Sequence, residues 1–431
     1  MTLDRRSFVA ASSAAASSLL FPRRAFGIGR PDADPIRIGV IGLGGRGTGA
    51  ARDAVAASDN VTIVAVGDLF ADRLAAGRAQ LQRVAAEDAR FAAAFRITDD
   101  RAFSGVDAWK QVLAQDIDLV ILATPPAFRP EHLAGAIAAG KHVFMEKPVC
   151  VDVAGAMSVI ASSDLAVRKG LGIVAGTQRR HDPQYVETIR RIQDGAIGDI
   201  VTAQVYWNQG GLWSFPRKPE WSDTEFQLRN WLYYTWLSGD HIVEQHVHNI
   251  DVANWVLGAV PVRATGMGGR QVRTDPLYGH IYDHFTIEFE YPGGQRVFSM
   301  CRQQDGTASF VGERIVGTKG SSNARNRIDG AMTWRHPETP GVSPYVEEHR
   351  HLVASIRAGT PLNEGRRIAE STLTAIMGRE AAYTGQAVTW EELLASGMDI
   401  TPKPFALGPL ATPPVPMPGQ TQLTRTFDQG W

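Results

Sequence analysis

The chain has 431 residues, 44 % of them apolar and 21 % charged, as is typical of a globular protein of two or three domains. Its 44 basic and 45 acidic residues nearly balance, and no basic excess points to nucleic acid as a partner. Two cysteines, Cys150 and Cys301, are too few for a disulfide framework, and no run of 18 apolar residues predicts a membrane span. We expect neither nucleic acid nor membrane as a partner.

The first 30 residues have the pattern of an export signal. Arg5 and Arg6 precede Phe8 and a weakly apolar stretch rich in alanine and serine, and a small residue such as Ala25 suits a cleavage site. The paired arginines resemble the twin-arginine type, whose machinery exports folded proteins. We therefore expect a periplasmic or secreted protein with both cysteines free. The alternative is an amphipathic N-terminal arm.

A glycine-rich loop follows the first predicted strand. The loop has the pattern G-x-G-x-x-G and consists of Gly42, Leu43, Gly44, Gly45, Arg46 and Gly47. An alanine-rich helix and a second strand come next, and that strand ends at Asp68, at the spacing of a dinucleotide fingerprint. Such loops bring backbone N–H groups close to a pyrophosphate, and Asp68 would accept hydrogen bonds from the adenosine ribose. A carboxylate repels a 2′-phosphate, so we expect NAD, while Arg46 and Arg73 leave NADP open.

Strands and helices then alternate up to residue 175. One apolar strand leads into Thr124 and Pro125, which would pass under the nicotinamide, and another ends in Glu146-Lys147-Pro148. This alternation predicts a doubly wound parallel sheet, an α/β Rossmann domain over 36–175.

The order of these motifs resembles that of the Gfo/Idh/MocA oxidoreductases, the family of glucose–fructose oxidoreductase and inositol dehydrogenase. The resemblance extends from Ile36 to about Trp390, and Glu146-Lys147-Pro148 is its most specific part. It implies that Lys147 is catalytic and lies between nicotinamide and sugar, where an ammonium stabilises a developing alkoxide. Glu146 would hold this ammonium in place.

A second element, Gly239 to Asp251, resembles the D-x-x-x-H-x-x-D motif of that family. Glu244, His248 and Asp251 occupy its three places, and on one helix they would share a face. The resemblance implies that His248 is the general base, that Glu244 orients it or binds a neighbouring hydroxyl, and that Asp251 contacts substrate.

The density of histidines in this element raises the question of a metal. A helical stripe could ligate Zn or Mn, with the candidate ligands His241, Glu244, His246 and His248. Their spacing fits no familiar metal motif, so we expect none. His246 either braces the site as a buried, hydrogen-bonded residue or contacts substrate.

Two further groups are candidates for the sugar site. Gln178, Arg179 and Arg180 follow the last Rossmann strand and would donate to sugar hydroxyls; the alternative for the arginines is pairing with surface carboxylates. Six of the ten tryptophans fall between 207 and 255. Among them Trp213 and Trp231 are our predicted stacking surfaces for a sugar, against the alternative of ordinary core packing.

The resemblance also implies a second, α+β domain over 176–400. Strands predicted at 200–207, 284–291, 295–302 and 313–317 suit an open, mostly antiparallel sheet, and the late helices would pack back on the Rossmann domain. The proline-rich tail, 401–431, would wrap a neighbouring subunit or be disordered. A homo-oligomer is expected.

These observations predict an exported oxidoreductase for a sugar or sugar derivative. No reliable NAD pool exists outside the cytoplasm, so the cofactor would be tightly bound and recycled in the site. One alternative is an NAD-dependent glycoside hydrolase or lyase that works by transient oxidation and elimination. A second is a non-catalytic dinucleotide- or sugar-binding protein.

Overall fold

The structure, a computed structural model, describes residues 34–427 apart from residues 339 and 342. The predicted export signal, with Arg5, Arg6 and Phe8, lies outside the described residues. None of the helices in the described part combines the length and the apolar character needed to cross a membrane.

The first domain is built on a six-stranded sheet in which every pair of neighbours is parallel. Its strands are β1 (Ile36–Ile41), β2 (Val61–Asp68), β3 (Ala102–Ser104), β4 (Leu119–Leu122), β5 (His142–Met145) and β6 (Ile173–Ala175). The spatial order is β3-β2-β1-β4-β5-β6, so the chain reverses direction across the sheet between β1 and β4. The predicted doubly wound Rossmann sheet is confirmed, and such a reversal is where these sheets bind dinucleotides.

Helices cover both faces of this sheet because its strands are apolar on both sides. They are α1 (Gly45–Ala57), α2 (Ala71–Glu87), α3 (Ala89–Ala94), α4 (Ala108–Leu113), α5 (Arg129–Ala138) and α6 (Val153–Lys169). Helix α6 shows why these segments begin and end where they do. The Asp152 side chain accepts a hydrogen bond from Gly155 N at its start, and Gly170 ends it with φ of +65°.

The second domain contains a nine-stranded sheet with the order β14-β13-β12-β11-β7-β10-β9-β8-β15. Its strands are β7 (Ile200–Gln209), β8 (Arg263–Gly269), β9 (His284–Glu290), β10 (Arg296–Gln303), β11 (Phe310–Gly317), β12 (Gly320–Ser322), β13 (Arg327–Gly330), β14 (Trp334–Arg335) and β15 (Val388–Thr389). Within the described part of this sheet, β7 and β10 pair in parallel and all other neighbours are antiparallel. The predicted open, mostly antiparallel sheet is therefore confirmed.

Eight helices belong to this part of the described chain. They are α7 (Pro183–Gln193), α8 (Asp223–Arg229), α9 (Thr235–Ser238), α10 (His241–Glu244), α11 (Val247–Leu257), α12 (Pro344–Arg357), α13 (Gly365–Thr384) and α14 (Trp390–Ala395). Helices α11 and α13 cover one face of the sheet, while α12 packs on α1 and α13 on α6 of the first domain.

The other face of the nine-stranded sheet is open. Along β10 the side chains alternate, with Val297, Ser299 and Cys301 buried and Phe298 and Met300 exposed. Exposed apolar side chains on neighbouring strands continue the open face, among them Met267 on β8 and Phe310 on β11. An exposed apolar surface of this kind is typical of a site where another molecule binds.

The described part of the tail, residues 401–427, makes hydrogen bonds to the rest of its own chain. Thr224 N donates to Gly408 O at 3.1 Å, and Tyr282 OH donates to Pro416 O at 2.8 Å. Arg425 reaches the buried Glu380 carboxylate with both of its oxygens within 2.8 Å. These polar groups are satisfied inside one subunit, so the described tail packs on its own chain in place of the predicted unstructured end.

Candidate active site

The glycine-rich loop forms an open cradle at the start of α1. Gly42 has φ of +91°, and a Cβ on Gly47 would come within 1.8 Å of Gly42 O. Both positions therefore require glycine. A Cβ on Gly44 or Gly45 would meet no described atom within 4 Å, and no described side chain caps the start of α1. Free helix N–H groups beside open space fit a pyrophosphate.

Asp68 ties the end of β2 to this loop. Its carboxylate accepts from Leu43 N at 2.7 Å and from Phe70 N at 3.0 Å. Burial raises the pKa of Asp68 above its ordinary value, while these two bonds oppose the shift. Its position beside Gly44 suits a ribose.

A cleft of about 980 Å³ runs past Gly44, Gly45 and Asp68. This volume lies at the upper end of the range for ligand pockets. Its far wall comes from the second domain and includes Trp213 and Trp231. The two tryptophans predicted to stack on a sugar thus line the same cleft as the glycine-rich loop and Asp68.

Thr124 and Pro125 line the same cleft. A buried arginine links their loop to the loop that follows β5. Arg129 donates to Thr124 O at 2.6 Å and also to Pro148 O, so one guanidinium joins the ends of β4 and β5. Burial lowers the pKa of Arg129 to about 10. The peptide bond between Lys147 and Pro148 is cis.

Lys147 is held by the second domain. Its Nζ donates to Glu244 O and, at 3.0 Å, to Glu244 Oε1. Glu146, in contrast, is buried and accepts from Arg46, with Nε 2.9 Å from Oε1. The prediction that Glu146 holds the Lys147 ammonium is therefore corrected: Glu146 orders the glycine-rich loop, and Glu244 holds the lysine.

His248 is a buried histidine close to these charges. Its ring stacks on Trp207, with centroids 5.6 Å apart, and its Nδ1 has no hydrogen-bond partner among the described residues. Burial, together with the positive charges of Lys147 and Arg179, holds the pKa of His248 well below its ordinary value. An unprotonated imidazole can take a proton from a hydroxyl.

We predicted that one helix carries Glu244, His248 and Asp251 on one face. In the structure the three residues do not lie on one regular helix. Helix α10 ends at Glu244 and α11 begins at Val247, so the chain bends between them. Asp251 faces away from an open site: it pairs with Arg180 at 2.8 and 2.9 Å and accepts from Ser371 Oγ at 2.7 Å. Both oxygens are thereby occupied, and this placement offers the predicted substrate contact no free acceptor.

Arg179 is paired in the same manner. Its guanidinium bonds Glu313, which also accepts from Tyr185 OH at 3.0 Å and Asn249 Nδ2 at 2.7 Å. The alternative of arginines paired with carboxylates thus describes Arg179 and Arg180, although the carboxylates are buried rather than on the surface. Gln178 donates to Tyr345 OH at 3.3 Å and keeps Oε1 unpartnered within the described part.

The remaining histidines point in different directions. His246 is fully buried with Nε2 2.8 Å from Ser299 Oγ, and burial lowers its pKa to about 3. This placement matches a bracing residue and leaves no surface for a substrate. His241 Nδ1 lies 3.0 Å from Asp240. In the described ranges no three His, Cys, Asp or Glu side chains are grouped to hold a metal ion.

Several residues at the site escaped sequence reasoning. Trp207 was seen only as one member of the tryptophan cluster, and its position at the end of β7 was the available signal. Arg129 and Glu313 belong to no motif, and nothing in their spacing marks them. The pairing of Arg46 with Glu146 joins two recognised motifs that lie 100 residues apart.

The fold and the cradle define a dinucleotide-binding domain joined to an open-sheet domain, and comparisons identify the class. Residues 36–171 match the family model GFO_IDH_MocA, described as an oxidoreductase family with an NAD-binding Rossmann fold. Residues 185–323 match the GFO/IDH/MocA C-terminal domain. Together the two models match more than half of the chain, which belongs to the Gfo/Idh/MocA oxidoreductase family, and its first domain is built for NAD.

Individual relatives are distant. Inositol 2-dehydrogenase 3 of Saccharopolyspora erythraea is 26 % identical over 369 residues, 82 % of this chain and 95 % of that protein. The 2,7-anhydro-N-acetylneuraminate hydratase of Escherichia coli is 27 % identical over 210 residues, which span 48 % of this chain and half of the hydratase. The aldose-aldose oxidoreductase of Caulobacter crescentus, solved with glycerol, superposes with a TM-score of 0.62 at 19 % identity, covering 82 % of this chain and 99 % of that one.

Proposed function

We propose that this protein oxidises a hydroxyl group of a sugar or sugar derivative, with NAD held tightly and recycled in the site. The observation that carries the proposal is the arrangement around Lys147, whose ammonium bonds the main-chain oxygen and Oε1 of Glu244 close to the buried His248. The inositol dehydrogenase relative supports a polyol or sugar as substrate.

Different residues would bind the cofactor, accept the hydroxyl proton and stabilise the charge that develops on the substrate oxygen. The loop from Gly42 to Gly47 and Asp68 would hold the dinucleotide, which when bound supplies the hydride acceptor. His248 takes the hydroxyl proton because its imidazole is unprotonated. Lys147 donates to the substrate oxygen and stabilises the negative charge that develops there. Glu244 keeps the ammonium aimed at that oxygen.

Recycling of the cofactor follows from the proposed location. The arginine pair at positions 5 and 6 supports export by the twin-arginine machinery to the periplasm or beyond, where free NAD is not replenished. A second carbonyl compound would then take the hydride back. The test of location is cell fractionation of the full chain beside an Arg5→Lys, Arg6→Lys variant. Equal export of both proteins would contradict the route.

The test of the reaction begins with the purified exported form. Its absorbance and the nucleotide released on denaturation report bound cofactor, and sugars are then added singly while the NADH band is followed. We expect bound nucleotide, reduction by an oxidisable sugar and reoxidation by an aldose or ketose. A preparation without nucleotide would contradict the trapped cofactor. Lys147→Ala with normal turnover would contradict the catalytic role proposed for Lys147.

One alternative keeps specific support. The relative named as a hydratase catalyses water addition, a reaction without net redox change. This supports keeping transient oxidation followed by elimination as a second candidate for this chain. Cleavage of an aryl glycoside without accumulation of NADH would favour it over the two-sugar reaction.

We also propose that the open face of the nine-stranded sheet joins two copies of the chain. Phe298 and Met300 lie at its centre and are 46 % and 43 % exposed. Two such faces related by a twofold axis would cover each other's apolar side chains. Light scattering should find a dimer or larger assembly that Phe298→Asp dissociates, whereas Val167→Asp on the exposed side of α6 does not. A monomeric parent protein would contradict the proposal.

A further inference from the structure

One part of the lining of the cleft is aromatic and comes from the second domain. Trp213, Phe215 and Trp231, the aromatic wall, all line the cleft, and Trp213 is 44 % exposed. The ring centroid of Trp213 lies 5.2 Å from that of Phe215 and 6.4 Å from that of Trp231. Partly exposed tryptophan inside a concave site presents a flat apolar surface that a planar ligand can cover.

This wall is held in place by hydrogen bonds rather than left as a loose loop. Tyr233 OH lies 3.0 Å from Leu212 O and 2.9 Å from Trp213 O. The Asn230 side chain accepts from Phe215 N at 2.8 Å and donates to Phe215 O at 3.0 Å. Both anchoring residues are buried. The rings therefore keep a defined position at the cleft.

One cation contact places the wall beside one half of the nucleotide site, and contacts of Arg229, on helix α8, tie the second domain to the same half. The Arg73 guanidinium lies 5.3 Å from the centre of the Phe215 ring. Arg229 donates to Asp72 at 2.9 and 3.1 Å, and its guanidinium lies 4.2 Å from the centre of the Phe70 ring. Phe70, Asp72 and Arg73 directly follow Asp68, the expected ribose ligand, whereas neither Lys147 nor His248 is among the described residues of this cleft.

We propose that the aromatic wall is the second half of the adenosine site, and that it contacts the adenine of the dinucleotide rather than the sugar substrate. The Rossmann domain supplies the ribose and pyrophosphate contacts, and the second domain covers the base. The Arg229–Asp72 ion pair holds the two domains together at this end. The inference rests on the proposed function, since a recycled cofactor must leave slowly, and it names the surface that retains it.

The experiment compares nucleotide release with substrate binding. The parent protein, Trp213→Ala and Trp231→Ala are loaded with NADH, and its dissociation is followed by stopped-flow fluorescence after a chase with excess NAD. Calorimetry with ADP-ribose, which lacks the nicotinamide, reports the adenosine half alone. The Michaelis constant for the sugar is measured in parallel. Trp334→Ala is the matched control because this tryptophan lies on β14, outside the cleft.

We expect each wall variant to release NADH about tenfold faster and to bind ADP-ribose about tenfold more weakly, as the loss of one stacked ring implies. The Michaelis constant for the sugar should not change in the wall variants. Trp334→Ala should release NADH and bind ADP-ribose as the parent protein does. Trp213→Phe, which keeps a ring, should recover part of the affinity and excludes a folding defect. Asp72→Asn should also release NADH faster.

Two results would overturn the inference. One is unchanged nucleotide release and ADP-ribose affinity in both wall variants. The other is a rise in the sugar constant alone, which would return the wall to the sugar site. A parent protein that binds neither NADH nor ADP-ribose would remove the proposed function together with the inference, so the two failures are distinguishable.

Discussion

The ammonium of Lys147 bonds both the main-chain and the side-chain oxygen of Glu244, a residue 97 positions further along the chain. The lysine follows a strand of the Rossmann domain, and the glutamate ends a short helix of the second domain. Two acceptors on one residue fix the direction of the ammonium as well as its position. Its aim therefore depends on how the two domains are seated.

Substitution at this pair should separate chemistry from positioning. Lys147→Ala should lower kcat by about 10²- to 10⁴-fold because the developing alkoxide loses its donor. Glu244→Gln keeps both acceptors but loses the charge, and a loss of about tenfold is expected. Steady-state kinetics on the identified sugar provide the measurement. Glu391→Gln, on the exposed start of α14, is the control, and an equal loss there would contradict the assignment.

The pH profile should report the buried base. The pKa of His248 is held well below its ordinary value, about 6.5, because burial and nearby cations disfavour the imidazolium. The base form therefore persists as the pH falls, and the acid limb of kcat/KM should lie below pH 6.5. An acid limb at or above pH 6.5 would argue that another group is the base. The same conclusion would follow if His248→Asn kept the acid limb of the parent protein.

Asp68 should control the choice between NAD and NADP. Asp68→Asn removes the charge that repels a 2′-phosphate but keeps an oxygen for Leu43 N or Phe70 N. We expect NAD to bind about tenfold more weakly and the preference over NADP to fall, since one charged hydrogen bond is lost. Calorimetry with both nucleotides measures the ratio. An unchanged ratio would place the adenosine ribose elsewhere.

The tail should contribute to stability through Arg425. This arginine and Arg379 both bond the Glu380 carboxylate, and all three residues are buried. Arg425→Met should lower the free energy of unfolding by about 3 kcal/mol because it removes one partner of a buried ion pair. Lys403→Met, which breaks an exposed pair with Asp399, should change it little. Urea denaturation of the two variants tests the contrast.

Acid should destabilise the fold through four buried histidines. Burial lowers the pKa of each to about 3, and they are His132, His246, His280 and His349. Between pH 6.5 and 3 these histidines are protonated in the unfolded chain but not in the folded chain. The stability present above pH 6.5 is therefore lost as the pH falls. Each histidine contributes up to about 1.4 kcal/mol per pH unit.

The urea midpoint, measured from pH 7 down to pH 5, checks this slope. His349→Gln should reduce the slope of the urea midpoint against pH by the contribution of one histidine. His336→Gln should not alter this slope, because His336 is less buried. A midpoint that does not depend on pH in this range would contradict the role of burial.

Local patterns predicted one part of this molecule well and another part poorly. The glycine-rich loop, Asp68 and the strands follow from residue types at short spacing, and the structure contains them. The bend between Glu244 and Val247 was missed because helical periodicity assumes an unbroken helix. The partner of Glu146 was missed because Arg46 is distant in sequence. For Trp213 the sequence predicts a ligand contact but not which ligand, because an aromatic residue alone does not reveal what its cleft holds.

Helix α13 has a consequence for how this chain acquires its structure. Every residue from Ser371 to Thr384 is buried, between α6 of the first domain and β8 of the second. At its start, Glu364 accepts from Ala175 N, and Asn363 bonds Ser163. A fragment that stops after β6 would thus lack the segment that completes its own core. We therefore expect the isolated first domain to be less stable than the same domain within the whole chain.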